Sequence, residues 1–319
     1  MIAPADRGLL LVKSGGAAAL PQWQALFAEL APDLEVRAWD DPAVDPDTVT
    51  YVLVWEPEPG RLERYPNLRV IFSTAAGVDH ITRDPHLPVG VPIVRMGAAE
   101  MAQTVGEYVC LATLSILRDA KRLVTAQVAQ RWDPFEAPRT ALDTRVGIMG
   151  LGNIGQVAAR MLQGLGFTVA GWANSRRDVA GVEIHAGPNE LTAFLARSDI
   201  LVGLLPETSQ TRGLIERRRI DQLPHGAGIV NVGRGSLIVM PDLIAALDEG
   251  QLGAAFLDVF EAEPLPTGHA AWRHPRITVT SHVAGFASRR SRARSVVQAL
   301  AAYESGTPLP NLYRAEHGY

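Results

Sequence analysis

The stretch "VGIMGLGNIGQVAARMLQGLGFTVAGW", residues 146–172, decides the fold. It opens with an apolar run ending at Met149 and passes through Gly150-x-Gly152-x-x-Gly155. It then carries apolar residues at helical spacing and closes on a second apolar run from Thr168. That order reads as strand, tight turn, helix and parallel strand. A bare GxGxxG is a weak signal; the strand before it and the helix after it make it specific. Each glycine has its own reason. Gly150 permits the turn, Gly152 lets the backbone approach a pyrophosphate, and Gly155 lets the helix pack against the sheet. The helix opens near Asn153 or Ile154, where unpaired N–H groups and the positive dipole end favour an anion. The reading is a dinucleotide-binding turn lined by Gly150, Gly152, Asn153, Ile154 and Gly155.

The next residues, "AGWANSRRD" (170–178), bear on which dinucleotide. The end of the second strand faces the adenosine ribose, where an acid would accept the 2′ and 3′ hydroxyls of NAD and repel the 2′-phosphate of NADP. No acid stands between Thr168 and Arg177. Asn174, Ser175, Arg176 and Arg177 occupy the place instead, and guanidinium groups bond phosphate in a fixed fork. The expectation is NADP, with NAD as the weaker alternative. Against it stand two points: the alternative reading of both arginines is as solvated surface charges, less favoured because the missing acid and the added cations point the same way, and Asp178 is placed to neutralise part of the site.

Outward from this turn, the chain alternates apolar runs with helical patterns. A first series offers strands at "LLLVK" (9–13), "LEVRAW" (34–39), "YVLVW" (51–55), "LRVIFS" (68–73) and "PIVRM" (92–96). A second runs through "RVGIMG" (145–150), "TVAGW" (168–172), "ILVGLL" (200–205), "AGIVNVG" (227–233), "GAAFLDVF" (253–260) and "ITVTSHV" (277–283). Two βα series imply two doubly wound α/β domains with parallel sheets. One long helix is predicted over 99–124 and another over 288–305, with the regions 99–124 and 286–305 as crossovers between the domains. Composition agrees: 319 residues, 47% hydrophobic and 20% charged, suit a soluble chain of two domains. A net charge of -4 argues against a general nucleic-acid binder. The single cysteine, Cys110, excludes an internal disulfide and a cysteine-based zinc cluster. No export signal and no membrane-length apolar run is read, so a cytoplasmic protein without membrane contacts is expected. The histidines at 80, 86, 185, 225, 269, 274 and 317 show no metal-ligand spacing, and no metal is implied.

The order of several further motifs resembles the D-isomer-specific 2-hydroxyacid dehydrogenases, and among them the bacterial glyoxylate/hydroxypyruvate reductase A group. These are "LVWEP" (53–57), "AAGVDH" (75–80), "EYVCLATL" (107–114), "GLGNIG" (150–155), "LLPETSQTRGLI" (204–215), "NVGRGSLI" (231–238), "GAAFLDVFEAEPLP" (253–266), "HPRITVTSHVA" (274–284) and the terminal "GY". The resemblance covers nearly the whole chain. It implies a Rossmann-type cofactor domain, 103–284, inserted in a split flavodoxin-like substrate domain, 1–102 and 285–319. It also implies reduction of glyoxylate, hydroxypyruvate or a related small 2-oxoacid with NADPH, and a homodimer formed through the region of Trp132.

The resemblance assigns catalytic roles to Arg234 in "NVGRG", Glu263 in "DVFEAEP" and His282 in "TSHVA". The chemistry suits them. Carbonyl reduction needs a proton on oxygen, which a histidine supplies near neutral pH. A neighbouring carboxylate favours the imidazolium, and a guanidinium grips the substrate carboxylate and carbonyl. The resemblance further places backbone N–H groups of Ala76, Gly77 and Val78 on the substrate carboxylate and Asp258 on the nicotinamide carboxamide. Leu205, Pro206, Val232 and Gly233 would lie along the cofactor. Trp55, at the end of a predicted strand, reads either as core packing or as a wall that excludes bulky substrates. The chain departs from the family with Ser281 in place of the usual Pro, Gly233 in place of Ala and Ala76 in place of Gly. Gly233 is expected to loosen the arginine loop and Ala76 to reshape the carboxylate pocket. Two other functions share the fold. Formate dehydrogenases usually carry Gln where Glu263 stands, which speaks against that chemistry. Dinucleotide-sensing corepressors keep the same triad, so the triad does not separate them, and the bacterial-type motif set without long disordered extensions disfavours that reading.

Overall fold

The computed structural model describes residues 8–97, 99–137 and 139–315; His317 and the terminal Gly318-Tyr319 lie outside them. The chain divides into two compact units. One takes the residues up to Glu100 and from Ala287 onward, the other Met101–Phe286.

The first unit is built on a parallel sheet of β1 (Leu9–Lys13), β2 (Glu35–Ala38), β3 (Val49–Val54), β4 (Val70–Ser73) and β5 (Ile93–Val94), in the order β2-β1-β3-β4-β5. The run Leu9–Val12 is continuously apolar because both faces of the sheet are covered. Leu10 and Val12 enter a core with Trp23 and Phe27 of α1 (Leu20–Leu30), and Leu9 and Leu11 a core with Trp39, Tyr65 and Ile81. Ile81 belongs to α2 (Asp79–Thr82), which follows β4.

The predicted helix over 99–124 is two helices, α3 (Ala99–Leu117) and α4 (Ala120–Val128). Between them Asp119 takes a left-handed conformation, φ 48°. No Gly or Pro marks the break, and Asp tolerates that region better than most side chains.

The second unit carries seven parallel strands: β6 (Arg145–Met149), β7 (Thr168–Ala173), β8 (Glu183–Ala186), β9 (Ile200–Gly203), β10 (Ala227–Asn231), β11 (Leu252–Leu257) and β12 (Ile277–Val279). Helices α5 (Asn153–Gly164), α6 (Leu191–Ala196), α7 (Arg217–Ile220) and α8 (Met240–Asp248) lie between them in the chain. Strand β8 is not among the predicted ones. It is an edge strand, "EIHA", only partly buried, so it lacks the apolar run that marks its neighbours. The order β12-β11-β10-β9-β6-β7-β8 has a reversal. The chain moves outward from β6 to β8, then returns to pair β9 with the other side of β6. Exit loops diverge at such a point and leave a crevice at the strand C-termini, where ligands bind. The loop after β6 is the glycine turn. The chain re-enters the first unit with α9 (Arg289–Glu304), whose Ala293, Val296 and Leu300 join the core of α1. Among the described residues no helix is long and apolar enough to cross a membrane.

Candidate active site

The glycine turn meets each demand placed on it. Gly150 has φ +105°, and a Cβ there would lie 2.9 Å from the Leu204 carbonyl oxygen in the loop after β9. A Cβ on Gly155 would fall 1.9 Å from the Gly150 carbonyl oxygen, so only glycine lets α5 start this close to the strand. Gly152 is different. It sits just before α5, and a Cβ there would meet nothing within 4 Å. The protein therefore leaves open the space that a pyrophosphate needs beside Gly152, Asn153 and Ile154, and these residues fit a dinucleotide.

Asn174, Ser175, Arg176 and Arg177 follow β7 and are all exposed. The acid missing from this part of the sequence arrives from elsewhere. Glu190, in the turn after β8, accepts from Arg176 Nη2 at 2.6 Å and from the Ala186 N–H at 2.8 Å. The expected neutraliser, Asp178, has no ion pair among the described residues. Leu205 is buried, and the Pro206 carbonyl accepts from Thr211 Oγ1 at 2.6 Å. The Val232 N–H donates to Gly203 at 3.2 Å. Gly233 does not loosen its loop. Its N–H donates to Asn231 Oδ1 at 3.2 Å, Asn231 Nδ2 donates to the Arg234 carbonyl at 2.9 Å, and a Cβ on Gly233 would stand 2.9 Å from the Leu205 carbonyl oxygen. Close approach of two strand exits demands glycine here.

Arg234, Glu263 and His282 follow the adjacent strands β10, β11 and β12. His282 Nδ1 lies 2.7 Å from Glu263 Oε2, and Glu263 Oε1 accepts from the Phe260 N–H at 2.8 Å. The bond to Glu263 raises the His282 pKa against the opposing effect of burial; the Glu263 charge and Asp258 add to the rise, while Arg234 opposes it. Burial pushes Glu263 upward, yet the bonds from His282 and Phe260 and the charges of His282 and Arg234 outweigh it, so its pKa falls. The pair is thus biased toward imidazolium and carboxylate, and the Arg234 charge is felt by both partners. Arg234 Nη1 also donates to the Gly233 carbonyl at 2.8 Å, which folds the side chain back over its own loop.

Asp258 is 1% exposed, and its carboxylate is turned into the protein. Oδ1 accepts from Thr280 Oγ1 at 2.6 Å and from the Val283 N–H at 2.9 Å; Oδ2 accepts from the Ala284 N–H at 2.8 Å. Its carbonyl takes the His282 N–H at 2.8 Å, and Tyr108 of α3 donates to Thr280 Oγ1 at 2.5 Å. These bonds brace the loop that carries His282, whose φ is +54°. Asp258 thus has a visible task beside the one expected of it. Thr280 and Tyr108 were not singled out in the sequence, since a Thr before a histidine and a Tyr within a helix carry no signal by themselves.

In the first unit, Ala76, Gly77 and Val78 form the loop between β4 and α2. The Val78 side chain is buried, and the N–H groups of the three residues donate to no acceptor among the described residues. Ser73 braces the loop: its Oγ accepts from the Ala75 N–H at 3.1 Å and lies 3.4 Å from His80 Nε2. His80 in turn lies under Trp55, ring centroids 4.2 Å apart. Trp55 sits one residue beyond β3 and is 38% exposed, so it is not a core residue.

A dinucleotide turn at the reversal of a parallel sheet, with a histidine–carboxylate pair and an arginine at three neighbouring strand exits, defines an NAD(P)-dependent oxidoreductase. Comparison with known proteins agrees and goes further. Residues 110–284 match the family described as D-isomer specific 2-hydroxyacid dehydrogenase, NAD binding domain. A glyoxylate/hydroxypyruvate reductase A of Serratia proteamaculans is 36% identical over 293 residues, covering 89% of this chain and 92% of that one. Among solved structures, a D-isomer specific 2-hydroxyacid dehydrogenase of Xanthobacter autotrophicus Py2 in complex with NADPH and MES superposes with a TM-score of 0.92 at 37% identity, covering 98% of this chain and 99% of that one. An NADPH-dependent glyoxylate/hydroxypyruvate reductase of Sinorhizobium meliloti in complex with NADP and sulfate gives 0.89 at 37% identity, covering 98% and 100%. The chain belongs to the D-isomer-specific 2-hydroxyacid dehydrogenase family.

Proposed function

We propose that this protein reduces glyoxylate, hydroxypyruvate or a related small 2-oxoacid to the 2-hydroxyacid, with NADPH preferred over NADH. The observation that carries the reading is the 2.7 Å His282–Glu263 pair beside Arg234. The bound nicotinamide supplies a hydride to the carbonyl carbon. His282 gives the carbonyl oxygen its proton; with Nδ1 bonded to Glu263, Nε2 is the atom we assign to the transfer. Glu263 holds the ring in place and keeps it protonated toward neutral pH, which favours the direction of reduction. Arg234 binds the carboxylate and carbonyl of the substrate. By the resemblance to the family, we assign the N–H groups of Ala76, Gly77 and Val78 to the substrate carboxylate, and we assign Trp55 to the limit on substrate size.

On the cofactor side, Gly150, Gly152, Asn153, Ile154 and Gly155 take the pyrophosphate, and the Asn174–Arg177 segment takes the 2′-phosphate. Leu205, Pro206, Val232, Gly233 and Asp258 flank the nicotinamide half. The relatives named as glyoxylate/hydroxypyruvate reductases and the neighbours solved with NADP or NADPH support the choice of substrate class and cofactor. We place the enzyme in the cytoplasm as a homodimer. Large apolar side chains on and after α3 and α4 face solvent in the single chain, Val128 at 81% and Trp132 at 93% exposure, and a second copy would cover them. A panel of 2-oxoacids assayed with both nucleotides tests the reading. Glyoxylate or hydroxypyruvate with NADPH should give the highest kcat/KM, and a chain that turns over none of the panel would refute it.

A further inference from the structure

Two adjacent arginines follow β7, and the structure treats them differently. Arg176 is strapped down. Its Nη2 donates to Glu190 Oε1 at 2.6 Å and its Nη1 to the Ile184 carbonyl of β8 at 3.3 Å. Glu190 is itself anchored, because its other oxygen accepts the Ala186 N–H at 2.8 Å. That N–H and the Arg176 charge together hold the Glu190 carboxyl below the usual carboxylate range. Arg177 is exposed and, among the described residues, has neither a hydrogen bond nor an ion pair from its side chain.

The difference matters to an arriving phosphate. Arg176 and Glu190 together carry no net charge, so at a few ångströms their attraction and repulsion largely cancel. Recruiting Arg176 would leave a carboxylate beside the phosphate, two like charges where there had been a pair. Arg177 brings a full positive charge with no pair to break. We infer that Arg177 is the residue that selects for the 2′-phosphate, and that Glu190 silences Arg176 and so sets the strength of the selection. This rests on the proposed preference for NADPH and divides it between two residues that the sequence alone presents as equivalent.

Calorimetric titration with 2′,5′-ADP and 5′-AMP isolates the phosphate from turnover. The wild type should bind 2′,5′-ADP more tightly than 5′-AMP. Arg177→Ala should narrow that gap by about 10- to 100-fold, the size of a lost charge-assisted contact. Arg176→Ala unmasks the Glu190 charge and should narrow it by less than Arg177→Ala does, while Arg176→Ala/Glu190→Gln, which removes the neutral pair whole, should leave it within about threefold of the wild type. Glu190→Gln should widen it, because Arg176 is released and a negative charge removed. Arg177→Ala/Glu190→Gln should recover part of what Arg177→Ala alone loses, a rescue that a merely structural Glu190 would not give. Affinity for 5′-AMP should stay constant throughout and reports that each variant is folded. Equal affinity of the wild type for the two nucleotides overturns both the NADPH preference and this inference. A clear wild-type preference that Arg176→Ala abolishes as fully as Arg177→Ala, or that Glu190→Gln narrows, overturns this inference alone.

Discussion

Gly152 and Gly155 stand three residues apart and answer to different constraints. A methyl group on Gly155 would strike the Gly150 carbonyl oxygen at 1.9 Å, whereas one on Gly152 would meet no protein atom within 4 Å. Gly155→Ala should therefore lower the melting temperature of the protein without any ligand. Gly152→Ala should leave it nearly unchanged and weaken NADPH binding, measured by nucleotide fluorescence. Equal melting temperatures for the two variants would refute the distinction. The same scale governs the proton. Glu263 raises the His282 pKa, and as the proposed proton donor His282 serves reduction only when protonated, so kcat/KM should fall as pH rises through a value above about 6.5. In Glu263→Gln the opposing effect of burial remains without the carboxylate, and that limb should move to lower pH. A limb that stays in place would show that Glu263 does not tune the histidine.

At the scale of elements, much was legible and the omissions have physical causes. Apolar runs and helical spacing gave all five strands of the first sheet and six of the seven of the second, since strands buried on both faces announce themselves. Edge strand β8 and the left-handed break at Asp119 escaped because neither leaves a compositional mark. The glycine turn and the order Arg234, Glu263, His282 were readable because their spacing is local or tied to motifs. Glu190 was not, because only the return of β8 alongside β7 brings it to Arg176. The brace around Asp258 was also hidden, being assembled from α3, β11 and the exit of β12. It has a measurable consequence. Asp258→Asn replaces an acceptor with an N–H donor where the protein already presents donors, which costs roughly 1–3 kcal/mol for each buried group left unpaired. The variant should melt at a lower temperature without nucleotide, and its kcat should fall as the His282 loop loosens. An unchanged melting temperature would leave Asp258 with no bracing role.

At the scale of the whole molecule, the chain presents apolar surface that a single copy does not use. Leu111, Val124, Val128 and Trp132 are each more than half exposed. Such side chains mark association surfaces when they lie near one another. Sedimentation should give the mass of two chains, and Trp132→Asp together with Val128→Asp should shift the population toward one. A wild type that sediments as a single chain at all concentrations would refute the dimer. The central claim remains that this molecule moves a proton through His282 while NADPH is oxidised by a 2-oxoacid. Its most direct test is the rate of NADPH oxidation with glyoxylate and hydroxypyruvate, for the wild type and His282→Asn, alongside NADPH binding to both. The wild type should form one hydroxyacid per NADPH consumed, and the variant should bind NADPH normally but turn over about 10²–10⁴-fold more slowly. Near-wild-type turnover by His282→Asn at neutral pH would contradict the account.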